Sequence, residues 1–235
     1  MKKTLSLYIA VLLVTGGNIV AGDWGPSPKE LVPLASPVAE GNCLTYDFLD
    51  LEYGITEFGS SYYTDGDFHG VGFSKSLGSS LFFTGGYADG GYTLNGLAKD
   101  SSVTTQRYRL GLGARHSIAR CVDLTFEGGM EHTDAEYGGC DCLNYDSWSY
   151  YVGPGIRARS GRLEMFAKAL YTGREGDMSQ TYLGFLTTES LSADEDGWLF
   201  SPGLVYHVTE NLGIKVAAEI GELDTAVTFG IRLEF

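Results

Sequence analysis

Beyond its first 22 residues the sequence contains no apolar run approaching the roughly 18 residues that a transmembrane helix needs. A membrane role for this chain must therefore come from strands. Basic residues are scarce, with 16 Lys and Arg against 30 Asp and Glu. So acidic a chain is not expected to hold nucleic acid or anionic lipid through a basic patch. Proline is rare, and four of its six positions (Pro26, Pro28, Pro33 and Pro37) fall between residues 23 and 42. The remainder is almost free of strand breakers, and residues 23–44 read as an extended lead segment. Histidine is limited to His69, His116, His132 and His207, and no nucleophile motif is present. No cofactor is expected.

The N-terminus has a short basic head, Met1-Lys-Lys3, then an apolar stretch from Leu5 to Val14 broken only by Ser6. Gly16, Gly17, Ala21 and Gly22 follow. This pattern predicts a secretory signal peptide over residues 1–22, too short in its apolar core to anchor. Its removal would leave 14 basic and 30 acidic residues, a net charge of −16.

What the chain has in abundance is glycine, 33 residues, together with aromatics and period-two alternation. Near the C-terminus Val227, Phe229, Ile231, Leu233 and Phe235 alternate with Thr228, Gly230, Arg232 and Glu234. Such a strand has one oily and one wet face. The same alternation runs through Leu49, Leu51, Tyr53 and Ile55 against Asp50, Glu52 and Gly54. Four segments, residues 70–83, 110–126, 152–166 and 201–214, read as variations on one hairpin, each a glycine-spaced strand, a short turn and an alternating strand. With a first strand over 47–57 and the terminal one, the count is ten. Pro154 and Pro202 fall inside two of these strands and predict paired bulges or a local distortion.

The polar face carries Arg107, Arg109, Arg115, Arg157, Arg159, Lys168, Lys215 and Arg232. Asp50, Glu52, Asp123, Glu127, Glu131, Glu164, Glu219 and Glu234 balance them. Gly54, Gly111, Gly113, Gly153, Gly203 and Gly230 share that face. Small residues beside long charged ones suit the crowded inside of a narrow barrel, so the apolar face should point outward to lipid. Connection lengths agree. Turns near 78–79, 117–121, 160–161 and 209–211 would lie on one side, and longer connections at 58–67, 89–103, 134–147 and 174–196 on the other. Trp148, Tyr150, Tyr171 and Trp198 fall at the long-loop ends of their strands, where an aromatic girdle belongs.

Taken together, residues 45–235 resemble the small outer-membrane β-barrel proteins of the porin-like and OmpA-like group. The resemblance implies an all-β fold: a closed antiparallel up-and-down transmembrane barrel of about ten strands, with eight as the alternative. It implies the bacterial outer membrane as location and its lipid as partner. It also implies that Phe235, closing the last strand, serves as a signal to the barrel-insertion machinery.

On this topology Cys43 and Cys121 lie at the short-turn rim, while Cys140 and Cys142 share one outer loop. In an oxidising compartment, Cys43–Cys121 and Cys140–Cys142 disulfides are expected. Cys140-Asp141-Cys142 has too few ligands for a metal site. Asp65-Gly-Asp67 and the Asp194–Gly197 stretch lack the spacing of a calcium loop. His132, near Glu131 and Asp134, is the only candidate for the rim dyad of a barrel hydrolase, and parity turns His132 and Glu131 to opposite faces.

The leading expectation is a non-enzymatic barrel with a largely filled polar lumen and a structural or surface-interaction role. Loop tyrosines such as Tyr62, Tyr63, Tyr92, Tyr137, Tyr145 and Tyr182 would serve either as contacts or equally as packing within the loops. The alternative is a narrow porin-like channel for small solutes or ions. A soluble barrel with its faces reversed is the third possibility.

Overall fold

The computed structural model describes residues 43–58, 66–93, 102–137, 143–180, 189–192, 195–221 and 224–235. Among these there is no helix. The strands are β1 (Phe48–Phe58), β2 (Gly66–Ser76), β3 (Leu81–Thr93), β4 (Ser102–Ala119), β5 (Val122–Tyr137) and β6 (Leu143–Ser160). They continue with β7 (Leu163–Gln180), β8 (Glu189–Ser192), β9 (Glu195–His207), β10 (Leu212–Ile220) and β11 (Asp224–Glu234). Each strand pairs antiparallel with its sequence neighbour, β7 passes over β8 to pair with β9, and β1 closes on β11. The result is a closed ten-stranded up-and-down barrel. The four-residue β8 sits outside the ring, paired only to the far end of β7.

Alternation sets the two faces. Leu110 and Leu112 are 59% and 60% exposed and Phe126 is 56%, whereas Asp50 and Glu164 on the other face are 2% and 0%. A soluble barrel would bury the first set and wet the second. Here the apolar side chains form the outer wall and the charges line the hollow, which is the polarity of a transmembrane barrel. Glycine on the inner face makes room for large neighbours: a Cβ on Gly113 would meet the Phe82 ring, and one on Gly111 the Tyr151 hydroxyl.

The short turns follow from local chemistry. Ser160 pairs with Leu163, leaving Gly161 and Arg162 as the two turn residues. Only Gly161 takes a positive φ, +59°. Glycine in the first turn position is the pattern of a type II′ hairpin, whose twist matches the strands it joins.

Strand lengths are unequal. β4, β6 and β7 have 18 residues each, and β10 has 9. At ~3.4 Å per residue, β10 runs ~30 Å and the long strands ~60 Å. About 9–11 tilted residues suffice to cross a bilayer. The long strands therefore continue past the membrane as paired hairpin, and several connections expected as long loops are strand instead, down to 94–101 and 138–142.

The prolines act differently from a bulge. Val152 pairs with Tyr171 and Gly155 with Lys168, so the register is unchanged across Pro154 and only the two intervening positions leave the β7 ladder. At Pro202 the β9–β10 register is likewise the same on both sides, Ala217–Gly203 and Ile220–Phe200. A missing N–H removes bonds on one side and inserts no residue. The described bulge is elsewhere, between Ser117 and Ala119.

Candidate functional site

The lumen is the candidate site, and it is built in layers from the short-turn end. Just before β1, Leu44 and Tyr46 pack with Phe82 to form a small buried cluster at the barrel mouth. The Tyr46 hydroxyl donates to Asp123 Oδ2 at 3.2 Å, and Ser117 Oγ donates to Asp123 Oδ1 at 2.7 Å. The guanidinium groups of Arg115 and Arg157 lie 4.5 and 4.3 Å from the Tyr46 ring centre. Burial, reinforced by the Asp123 charge, pushes the Tyr46 phenol up to about 12 against the pull of Arg157. The neighbouring Asp47 is held below its ordinary value, chiefly because Ser76 N donates to its Oδ1 at 2.6 Å.

The next layer crosses the barrel. Arg157 Nη2 donates to Glu164 Oε1 at 2.7 Å, and Arg232 Nη1 donates to the same oxygen at 3.1 Å. Arg232 Nε and Nη2 grip the two oxygens of Asp50 at 2.7 and 2.8 Å. Lys215 Nζ reaches Asp50 Oδ2 at 2.8 Å and also pairs with Glu52. This chain of charges runs through β6, β7, β11, β1 and β10 without a gap. The Arg232 guanidinium also stacks 3.8 Å from the centre of the Phe48 ring. Buried ions cost several kcal/mol each unless they are paired and hydrogen-bonded, so the alternation of signs is what makes this interior tenable.

Further toward the long-loop end, Lys168 Nζ donates to Glu127 Oε2 at 2.6 Å. Arg109 Nε donates to Glu131 Oε2 at 2.8 Å, and its Nη1 to Glu219 Oε1 at 3.5 Å. Arg107 lies 4.9 Å from the Phe68 ring centre. Two spaces flank these layers, one of about 240 Å³ and one of about 630 Å³ nearer the loops.

Two of the predicted lumen residues lie at the short-turn rim. Arg115 donates to the main-chain oxygens of Ser79 and Gly78 at 2.9 and 3.5 Å. Arg159 reaches Glu234 Oε2 at 3.5 Å and Gly161 O at 3.3 Å. Phe235 is exposed, with its amide bonded to Asp47 O at 3.1 Å and Lys75 Nζ 5.3 Å from its ring centre.

Cys43 and Cys121 form a disulfide. Cys140 and Cys142 lie outside the described residues, as do Asp65, Asp194, Tyr62, Tyr63 and Tyr182. The side chains of Tyr137 and Tyr145 are likewise outside them. His132 does not meet Glu131, which faces the lumen. Its Nε2 lies 3.0 Å from Asp146 Oδ1 across the β5–β6 pair, with the Trp148 ring centre 4.6 Å away. Together with the edge-on pair Tyr171–Trp198 at 5.7 Å, these residues form the loop-side aromatic girdle.

One residue that sequence reasoning passed over is His207, almost fully buried among the inner-face charges. Its parity with Gly203 and Val205 was the available signal.

An outward apolar band, an aromatic girdle, a charged interior and closed antiparallel strands together define the class. This chain has the fold of a transmembrane β-barrel.

No protein-family model matches the sequence, and no curated protein matches it. Solved structures of similar shape include the translocator domain of the autotransporter NalP from Neisseria meningitidis, with TM-score 0.47 and 10% identity over 82% of this chain and 89% of that one. The β domain of the Bordetella autotransporter BrkA gives TM-score 0.47 and 8% identity over 80% and 98%. The attachment invasion locus protein Ail of Yersinia pestis gives 0.38 and 14% over 81% and 100%.

Proposed function

We propose that the protein is a non-enzymatic barrel of the bacterial outer membrane whose lumen is filled, and that it serves as an envelope component presenting its loop-side hairpins to the surroundings. The observation that carries this reading is the Arg157–Glu164–Arg232–Asp50–Lys215 chain. It crosses the hollow with Glu164 and Asp50 nearly inaccessible to solvent. Tyr46 and Phe82 cover its short-turn side. A wide diffusion channel needs about 16–18 strands, well beyond ten. The partners on this reading are lipid, the insertion machinery, and surface ligands met by the hairpin tips.

A second reading, a narrow channel, is favoured by one feature. Arg107, Arg109, Glu131 and Glu219 line both lumen spaces, so a small solute could pass from the loop side down to the Arg232 level. Planar-bilayer recording of the refolded protein separates the two. The filled barrel predicts no stable conductance steps. Reproducible openings that vanish on enlarging a lumen side chain, such as Ala217→Phe, would establish the channel instead.

A further inference from the structure

We propose that Glu164, His207 and Glu234 form a binding site for a divalent transition cation of the Zn²⁺ type, at the short-turn end of the lumen. The three residues come from β7, from the end of β9 and from the end of β11. Each offers one ligand atom, and these atoms all lie within 4.8 Å of one another. All three residues are buried, with Glu164 at 0% and His207 at 1% exposure.

The second observation concerns the donors themselves. Neither ring nitrogen of His207 makes a hydrogen bond to a described residue, and neither do Glu164 Oε2 and Glu234 Oε1. The approach distances are those of a loose ion pair: Nε2 to Glu164 Oε2 is 3.5 Å and Nδ1 to Glu234 Oε2 is 3.8 Å. Buried polar atoms are ordinarily satisfied, so unbonded side-chain atoms on all three clustered residues call for a missing partner. Ligands about 2.0–2.2 Å from a tetrahedral Zn²⁺ sit about 3.3–3.6 Å apart. With the widest pair within 4.8 Å, the cluster needs to close by at most about 1.2–1.5 Å.

The donor set selects the ion. One imidazole nitrogen and two carboxylate oxygens, with no thiolate, match the three-ligand sites of Zn²⁺ and its neighbours. Glu164 uses only Oε1 for Arg157 and Arg232, which fix the carboxylate while leaving Oε2 turned to His207. That division of one carboxylate between cation-orienting and ligating oxygens is what an outer shell does for a metal ligand. Bound there, the ion would tie β7, β9 and β11 together beneath the Asp50–Arg232 layer. The site is independent of whether the lumen conducts.

The test is to refold the full, oxidised chain into detergent micelles with Co²⁺, remove free metal by gel filtration, and record the ligand-field spectrum and metal content. Heat-modifiable gel migration reports folding separately. Wild type should retain a single Co²⁺ with nitrogen–oxygen ligand-field bands. His207→Ala and Glu234→Gln should each retain at least about tenfold less after the same loading and gel filtration. Folded wild type without bound Co²⁺ would overturn the proposal. Retention unchanged in both folded variants, or thiolate charge-transfer bands, would overturn it by placing the ion elsewhere. If His207→Ala does not fold, the wild-type spectrum and Glu234→Gln still decide.

Discussion

Asp50 and Arg232 stand directly opposite each other across the seam where the first and last barrel strands meet, and Arg232 holds both carboxylate oxygens of Asp50 at 2.7 and 2.8 Å. They are 182 residues apart in sequence. The pair locks closure of the ring and anchors the charge layer at the same place. Removing one member of a buried pair leaves the other uncompensated, at a cost of about 3–5 kcal/mol. Arg232→Met should fall at the lower end, about 3 kcal/mol, because Lys215 stays on Asp50 and Arg157 on Glu164. Urea unfolding from micelles, followed by tryptophan fluorescence, measures it. A loss below about 0.5 kcal/mol would mean that the layer does not hold the seam.

The outward apolar face makes a second prediction. Leu112→Arg, at the middle of β4, should destabilise the barrel by about 2–4 kcal/mol in lipid. Ile118→Arg, beside the short turn, should cost about 0–1 kcal/mol. Both positions are exposed, so a water-facing wall would tolerate them equally. The depth dependence is the discriminating measurement, by refolding into bilayers at a series of denaturant concentrations.

Packing inside the barrel predicts a paired effect. A Cβ on Gly113 would meet the Phe82 ring. Gly113→Ala should therefore cost about 1–3 kcal/mol through overpacking. Phe82→Leu removes the obstructing ring edge, and the double variant should recover part of that loss. A double-mutant cycle gives the coupling, expected at about 0.5–3 kcal/mol. Strict additivity would show that the glycine is not there to seat Phe82.

Tyr46 predicts a pH dependence. Its phenol ionises in the folded protein only at about 12, against an ordinary value of 10.0. Burial favours the protonated form, so Tyr46 contributes stability that is fully present below pH ~10 and lost as pH rises toward ~12. An ultraviolet titration of the folded barrel should show a late phenolate step whose amplitude Tyr46→Phe lowers by one tyrosine. Its appearance near pH 10 would show that the short-turn mouth is open to solvent.

Sequence alone sorted the strand residues into two faces, and the structure decided that the apolar face is the outer one. Period-two alternation is a local property of an extended backbone, so Leu110 and Arg109 had to part company whatever the rest of the chain did. It likewise pointed to about ten strands, with eight left open until the ring was seen to close with ten, because each glycine-spaced hairpin carries its own turn, and Gly161 can take a φ closed to its neighbours. Tertiary structure alone decided which charges meet. Asp50 finds Arg232, Lys215 finds Asp50, and His207 finds Glu164 and Glu234 only because ring closure and register bring distant strands level. Register across a barrel depends on strand tilt and stagger, which no single segment specifies. The same reason explains why Arg115 came to rest on the carbonyls of a turn, and why Pro154 and Pro202 interrupt a ladder without shifting it. It also explains why β4 to β7 rise beyond the membrane, since a strand continues for as long as its neighbour still offers a partner.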